Sequence, residues 1–161
     1  FVQADARDTN LKSERFDHVL ILGNSLRYVP DQVSDRKILE EAFRLLKSQG
    51  WMLVDVTDGQ TVKANFTPNA WHEIDTDVVV CRHREMCGDV VYAREMVLSK
   101  QSGLIRDKTY CIRMYEPQAF GTMIEDAGFE NVTVHTRFSP QQCRGDVGFM
   151  NHRLIATAQK P

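Results

Sequence analysis

The chain has 161 residues, enough for one domain that buries roughly 70% of its unfolded surface and too few for two. Twenty Lys and Arg stand against 22 Asp and Glu, a net charge of -2 that gives no electrostatic case for a nucleic-acid or anionic-membrane partner. No apolar run approaches the ~20 residues of a membrane helix, and four cysteines with no Cys-x-x-Cys spacing point to reduced thiols in a cytoplasmic protein.

Phe1-Val2-Gln3-Ala4 reads as the end of a strand that stops at Asp5, and we expect the natural polypeptide to continue upstream. After a polar stretch, Arg7 to Arg15, the segment Phe16 to Leu22 has the apolar run of a central parallel strand. It leads straight into the small polar loop Gly23-Asn24-Ser25. Such a strand end is where an α/β sheet presents a ligand crevice. Pro30-Asp31 introduces a helix with Val33, Ile38, Leu39, Ala42, Leu45 and Leu46 on one face, Lys47 in its last turn and Gly50 as a left-handed cap. The charges of Arg36, Glu40, Glu41 and Arg44 read as its solvated face. Trp51 to Val56 follows as a second buried strand, giving strand, helix, strand, the unit of a parallel sheet.

Three extended runs from Val78 to Tyr115, separated by Gly-containing turns, indicate an antiparallel meander. Trp71-His72-Glu73 reads as a packing linker before it. Pro117 opens a second helix, with Phe120, Met123, Ile124 and Ala127 at helical spacing, and Gly128 ends it. Two last strands, Phe129 to Phe138 and Arg153 to Gln159, flank a loop from Ser139 to Gly148.

The order of elements and several local motifs resemble the class I S-adenosylmethionine-dependent methyltransferases of the small-molecule type. Phe1 to Ala6 is similar to that family's third strand, Phe16 to Leu22 to its fourth, and Leu45-Leu46-Lys47-Ser48-Gln49-Gly50-Trp51-Met52-Leu53-Val54-Asp55 to the passage into its fifth. Met114-Tyr115-Glu116-Pro117, Asp126-Ala127-Gly128-Phe129 and Arg153 to Pro161 are similar to its last helix and final strands. The loop Leu22-Gly23-Asn24-Ser25-Leu26 is most similar to the glycine and sarcosine N-methyltransferase group. That group has an arginine two residues after the acidic end of the fifth strand, where this chain has Thr57.

The resemblance implies a Rossmann-like α/β sheet with an antiparallel last strand and residues 78–115 inserted as a cap, all within one partial domain over residues 1–161. It implies S-adenosylmethionine as cofactor, lined by Asp5, Ala6, Leu22 and Gly23. A small-molecule acceptor would face Asn24, Tyr28, Asp55, Arg113 and Tyr115, with Asn24, Tyr28 and Asp55 nearest the chemistry. The family's glycine-rich turn and ribose-binding acid are not in this sequence. Its sheet order then leaves the Phe16 strand as an apolar edge, completed by an upstream half or by a second copy in a homo-oligomer.

Each residue also has a structural reading. Asp5 and Asp55 can cap turns, Asn24 can satisfy loop backbone, Tyr28 can anchor a loop, and Arg113 and Tyr115 share a strand face by period two. His72 is a candidate base, and Cys81, His83 and Cys87 are a weak metal set lacking a fourth ligand, so we expect no metal. A non-catalytic binding or dimerisation module and a nicotinamide-dependent reductase are the alternative functions.

Overall fold

The structure is a computed structural model that describes residues 2–26, 28, 31–138, 149 and 152–161, with Gln32 and Arg137 described by backbone alone. Phe1, Pro30, Cys143 and the loop Ser139 to Gly148 lie outside the described residues.

β1 (Phe16–Ile21) and β2 (Leu46–Thr57) pair in parallel through the crossover helix α1 (Gln32–Leu45). Asp31 caps α1, its carboxylate accepting from Ser34 N at 2.7 Å. β2 then pairs antiparallel with β8 (Arg153–Gln159), and β8 with β7 (Glu130–Phe138), giving the order β1-β2-β8-β7. The last helix, α3 (Pro117–Asp126), carries Pro at its first turn, and Gly128 just beyond it takes φ +97°. One core joins the faces of α1 and α3 to the sheet: Ile38, Leu39, Ala42, Phe120 and Ile124 lie over Met52, Val54, Leu154 and Ala156. Phe43 meets Phe129 edge-on at 5.2 Å.

A second sheet, β3-β4-β5-β6, is wholly antiparallel: β3 (Asn69–Glu73), β4 (Val78–Cys87), β5 (Val90–Ser99) and β6 (Gly103–Arg113). A short helix, α2 (Gly59–Ala64), joins the two sheets, capped by Asp58, which also bridges to Tyr115. Lys63 reaches Asp89 at 2.7 Å and Glu116 at 2.9 Å, and Val62 packs with Val91 and Met114. These contacts fix the second sheet to the first.

Several sequence expectations are corrected. The helix stops at Leu45, so Leu46, Lys47 and Gly50 belong to β2, and the left-handed residue is Gln49 at φ +64°. Gly50 is small because a Cβ there would sit 2.9 Å from Lys47 O and 3.1 Å from Asp17 O. Val33 is exposed rather than on the buried face. Trp71-His72-Glu73 is not a linker but the body of β3, since its backbone pairs with Val79–Cys81. Residues 2–4 form no strand, because nothing among the described residues pairs with them and only the Asp5–Asp8 bridge follows.

Glu41 and Arg44 are not a solvated face either. The buried Glu41 carboxylate accepts from Thr9 N at 3.0 Å, Thr9 Oγ1 at 2.5 Å and Arg44 Nη2 at 2.7 Å, pinning the segment before β1 onto α1. Finally, β1 is an edge strand among the described residues, with Leu20 62% and Leu22 50% exposed, rather than a central one. It is the apolar edge that the resemblance implied.

Candidate active site

The chain leaves β1 through Leu22 and bends at two consecutive left-handed residues, Gly23 (φ +68°) and Asn24 (φ +65°). Glycine and asparagine are the residues that adopt this conformation at least cost. A Cβ at Gly23 would meet nothing within 4 Å, so the backbone there stands open to the crevice.

The bend is braced from β2. Gly23 N donates to Asp55 Oδ2 at 3.2 Å, and Asn24 N donates to Asp55 O at 3.3 Å. Asn24 is buried, and its Oδ1 accepts from Thr57 N at 2.8 Å, Thr57 Oγ1 at 2.9 Å and Arg153 Nη1 at 3.0 Å. Arg153 Nε also donates to Asp55 Oδ1 at 2.7 Å. With its oxygen saturated, Asn24 has only its amide nitrogen, a donor, to offer a ligand.

Of the residues singled out in the sequence, Gly23, Asn24 and Asp55 therefore come together at the strand ends. Ala6 and Leu22 share a groove of about 290 Å³ along β1 with Thr9, Val19, Ile21 and Ser25. Asp5 is exposed beside it, its carboxylate held by Arg7 through Nε at 3.0 Å and Nη2 at 2.6 Å, which lowers its pKa to about 2. A larger cleft of about 670 Å³ between α1 and α3 includes none of these residues.

Tyr28, half-exposed on the same loop, lies 6.1 Å from Tyr110 of β6, ring to ring. That contact links the crevice loop to the inner face of the second sheet, the face that carries Val80, Arg82 and Arg84 on β4, Ala93 and Glu95 on β5 and Tyr110 on β6 by register. Arg82 Nε donates to Glu95 Oε2 at 2.8 Å, Arg82 Nη1 meets His72 Nδ1 at 3.1 Å, and Arg106 pairs with the other Glu95 oxygen. Arginine is donor only, so His72 accepts at Nδ1, and that lone pair is not available as a base. Burial, reinforced by the Glu95 carboxylate, pushes the phenols of Tyr28 and Tyr110 above their usual range. Both stay protonated at neutral pH.

Arg113 and Tyr115 turn elsewhere. Both donate to Oδ2 of the fully buried Asp35 on α1, Tyr115 at 2.6 Å, and burial followed by that bond pushes the Tyr115 phenol up to about 12. They clamp the end of the second sheet onto α1. No cluster of metal-ligating side chains exists among the described residues.

Sequence reasoning missed Arg153, Thr57, Asp35, Arg82 and Glu95. One local signal was present for Arg153, a charge opening an otherwise apolar strand. The others are polar positions in alternating strands or on a helix and look like solvated faces.

A methyltransferase-domain family model matches residues 1–54, about a third of the chain. No curated protein sequence matches. Among solved structures, the CcbJ methyltransferase from Streptomyces caelestis is 21% identical with a TM-score of 0.75, over 99% of this chain and 62% of that one. An S-adenosylmethionine-dependent methyltransferase from Clostridium acetobutylicum ATCC 824 is 14% identical with a TM-score of 0.74, over 99% and 63%. An amino pentose methyltransferase from Micromonospora echinaspora, solved with S-adenosylmethionine bound, is 14% identical with a TM-score of 0.64, over 98% and 63%. The chain thus spans less than two thirds of the length of each of these relatives. At these identities the similarity establishes architecture: the chain has the Rossmann-like α/β fold of S-adenosylmethionine-dependent methyltransferases, with an additional antiparallel sheet.

Proposed function

We propose that the protein transfers a methyl group from S-adenosylmethionine to a nitrogen or oxygen of a small molecule held between the strand-end crevice and the inner face of the second sheet. The observation that carries this reading is the open, doubly left-handed Gly23-Asn24 bend at the end of a parallel strand, braced by Asp55 and Arg153. The match of residues 1–54 to a methyltransferase domain supports it, as does the amino pentose acceptor named for one structural neighbour.

The groove beside β1 fits the flat, weakly polar end of such a cofactor, with Ala6 and Leu22 as walls and Thr9 and Ser25 as polar members. Asp5 stands beside it, and Gly23 presents bare backbone. When bound, the cofactor supplies an electrophilic methyl on a sulfonium.

What remains for the chain is positioning and exclusion of water. The Asn24 amide nitrogen donates to the acceptor molecule, and Tyr28 offers a protonated phenol next to it. Asp55 and Glu95 are both committed to arginines, so the site holds no free carboxylate among its described members. It therefore suits an acceptor that arrives with its own lone pair, such as a neutral amine, better than one that must be deprotonated. Arg113 and Tyr115 act by holding the cap.

The test is calorimetric titration of S-adenosylhomocysteine into the natural polypeptide that contains this chain, beside its Gly23→Val variant. Binding that the variant loses is the expected result. Absence of binding by the unaltered protein would sink the enzyme reading in favour of a binding or dimerisation module.

A further inference from the structure

The second sheet has two faces, and among the described residues only one is extensively covered. Its inner face buries Val80, Val91, Ala93 and Ile112, with Val91 packed beside Val62 of α2. On the outer face, Trp71 is 66% exposed, Tyr92 54% and Leu104 58%. Register makes this face continuous: Trp71 lies opposite Cys81, which lies opposite Met96, and Val79, Leu98 and Leu104 form the next row. From these observations we infer that the outer face of β3–β6 is the interface of a homodimer, packed face to face on a second copy of this chain.

Two features favour a second copy over another partner. The first is area. Strands of 5, 10, 10 and 11 residues cover about 600 Å² in projection at roughly 3.4 Å per residue and roughly 4.8 Å per strand. Protruding side chains raise the accessible area toward the ~800 Å² per partner of a standard stable interface. The second is charge. Two ion pairs on this face are closed on the same copy, Arg94 with Asp107 at 2.5 Å and Glu73 with Lys100 at 2.7 Å, and Glu85 stands largely exposed near the rim of the apolar rows. A face so nearly balanced offers no cationic patch to a polyanion and no strong field to a charged peptide, and an identical face meets its apolar rows without breaking those two pairs. Two sheets stacked this way keep their strands within about 30° of each other, as in a sandwich.

This interface is distinct from the β1 edge, which is apolar for a different reason, and the test separates them. Light scattering coupled to gel filtration of the natural polypeptide that contains this chain should give twice its monomer mass. Trp71→Asp with Tyr92→Asp should raise the dimer dissociation constant at least tenfold, with circular dichroism unchanged because both positions are exposed. Without any substitution, dilution through the dissociation constant should red-shift tryptophan emission as Trp71 becomes solvated. A monomer at every concentration overturns the inference. So does a dimer that Leu20→Lys on β1 dissolves and the double variant leaves intact.

Discussion

Arg153 Nε donates to Asp55 Oδ1 at 2.7 Å, joining the first residue of β8 to the crevice end of β2 with Arg153 almost fully buried. Through the same guanidinium, Nη1 reaches Asn24 Oδ1, so one side chain near the end of the sequence holds both residues that shape the loop after β1. The loop's geometry is set from 32 and 129 residues away in the chain.

Arg153→Ala should therefore be among the most damaging single changes, costing about 3–5 kcal/mol because it strands Asp55 and Asn24 in a buried site. Arg153→Lys should recover part of that loss by keeping the charge without the forked geometry. Urea denaturation of the three proteins checks the order; equal stability for wild type and Arg153→Ala would show the network to be ornamental.

Asn24 sits at φ +65° and accepts three hydrogen bonds, which makes alanine and glycine informative in different ways. Both lose the bonds, at about 1–3 kcal/mol for the buried groups left unpaired. Alanine also pays the left-handed penalty of ~1 kcal/mol. Asn24→Gly should thus be the more stable of the two, and thermal melts will show whether it is.

Tyr115 provides a spectroscopic handle. Burial, then the Asp35 carboxylate, disfavours its phenolate and holds the pKa at about 12. Asp35→Asn removes the negative charge, so the pKa should fall, while burial keeps it above that of a free phenol. Ultraviolet titration of the tyrosines reads this directly, and a Tyr115 value unmoved by the substitution would refute the clamp.

Glu41 sets an acid limit. Its pKa is lowered to about 2, chiefly by Arg44 and then, against the opposing effect of burial, by Thr9. A depressed carboxylate contributes stability that is fully present above its unfolded value near 4.5 and is lost as pH falls toward 2. Wild type should lose stability across that window more steeply than Glu41→Gln, which should be the weaker protein at pH 7. Parallel pH profiles in denaturation experiments would expose an error here.

Gly59 opens α2 where a Cβ would approach Tyr115 O at 2.8 Å and Met114 Cβ at 2.9 Å. Gly59→Ala should push α2 off the end of β6 and cost about 1–3 kcal/mol by overpacking. A variant with unchanged melting temperature would mean the junction between the sheets is compliant.

The strand-helix-strand unit, the antiparallel meander and the Pro117 helix were legible because each rests on a local signal, a hydrophobic period or a turn residue. β3 was not legible. Trp71-His72-Glu73 is short and mixed in character, and it becomes a strand only by pairing with β4. The end of α1 was misplaced for a related reason, since Leu46 to Gly50 form a strand through contacts with β1 and with Lys160 that lie far along the chain.

The sequence by itself determined which loop is special, because a buried strand running into Gly-Asn carries its meaning in adjacent residues. Tertiary structure alone decided what holds that loop. Arg153 is an ordinary strand-end arginine, Asp35 an ordinary helical aspartate and Glu41 an ordinary surface glutamate until folding removes water from them. Only then do partners 32, 80 or 129 residues away become the groups that satisfy their charge.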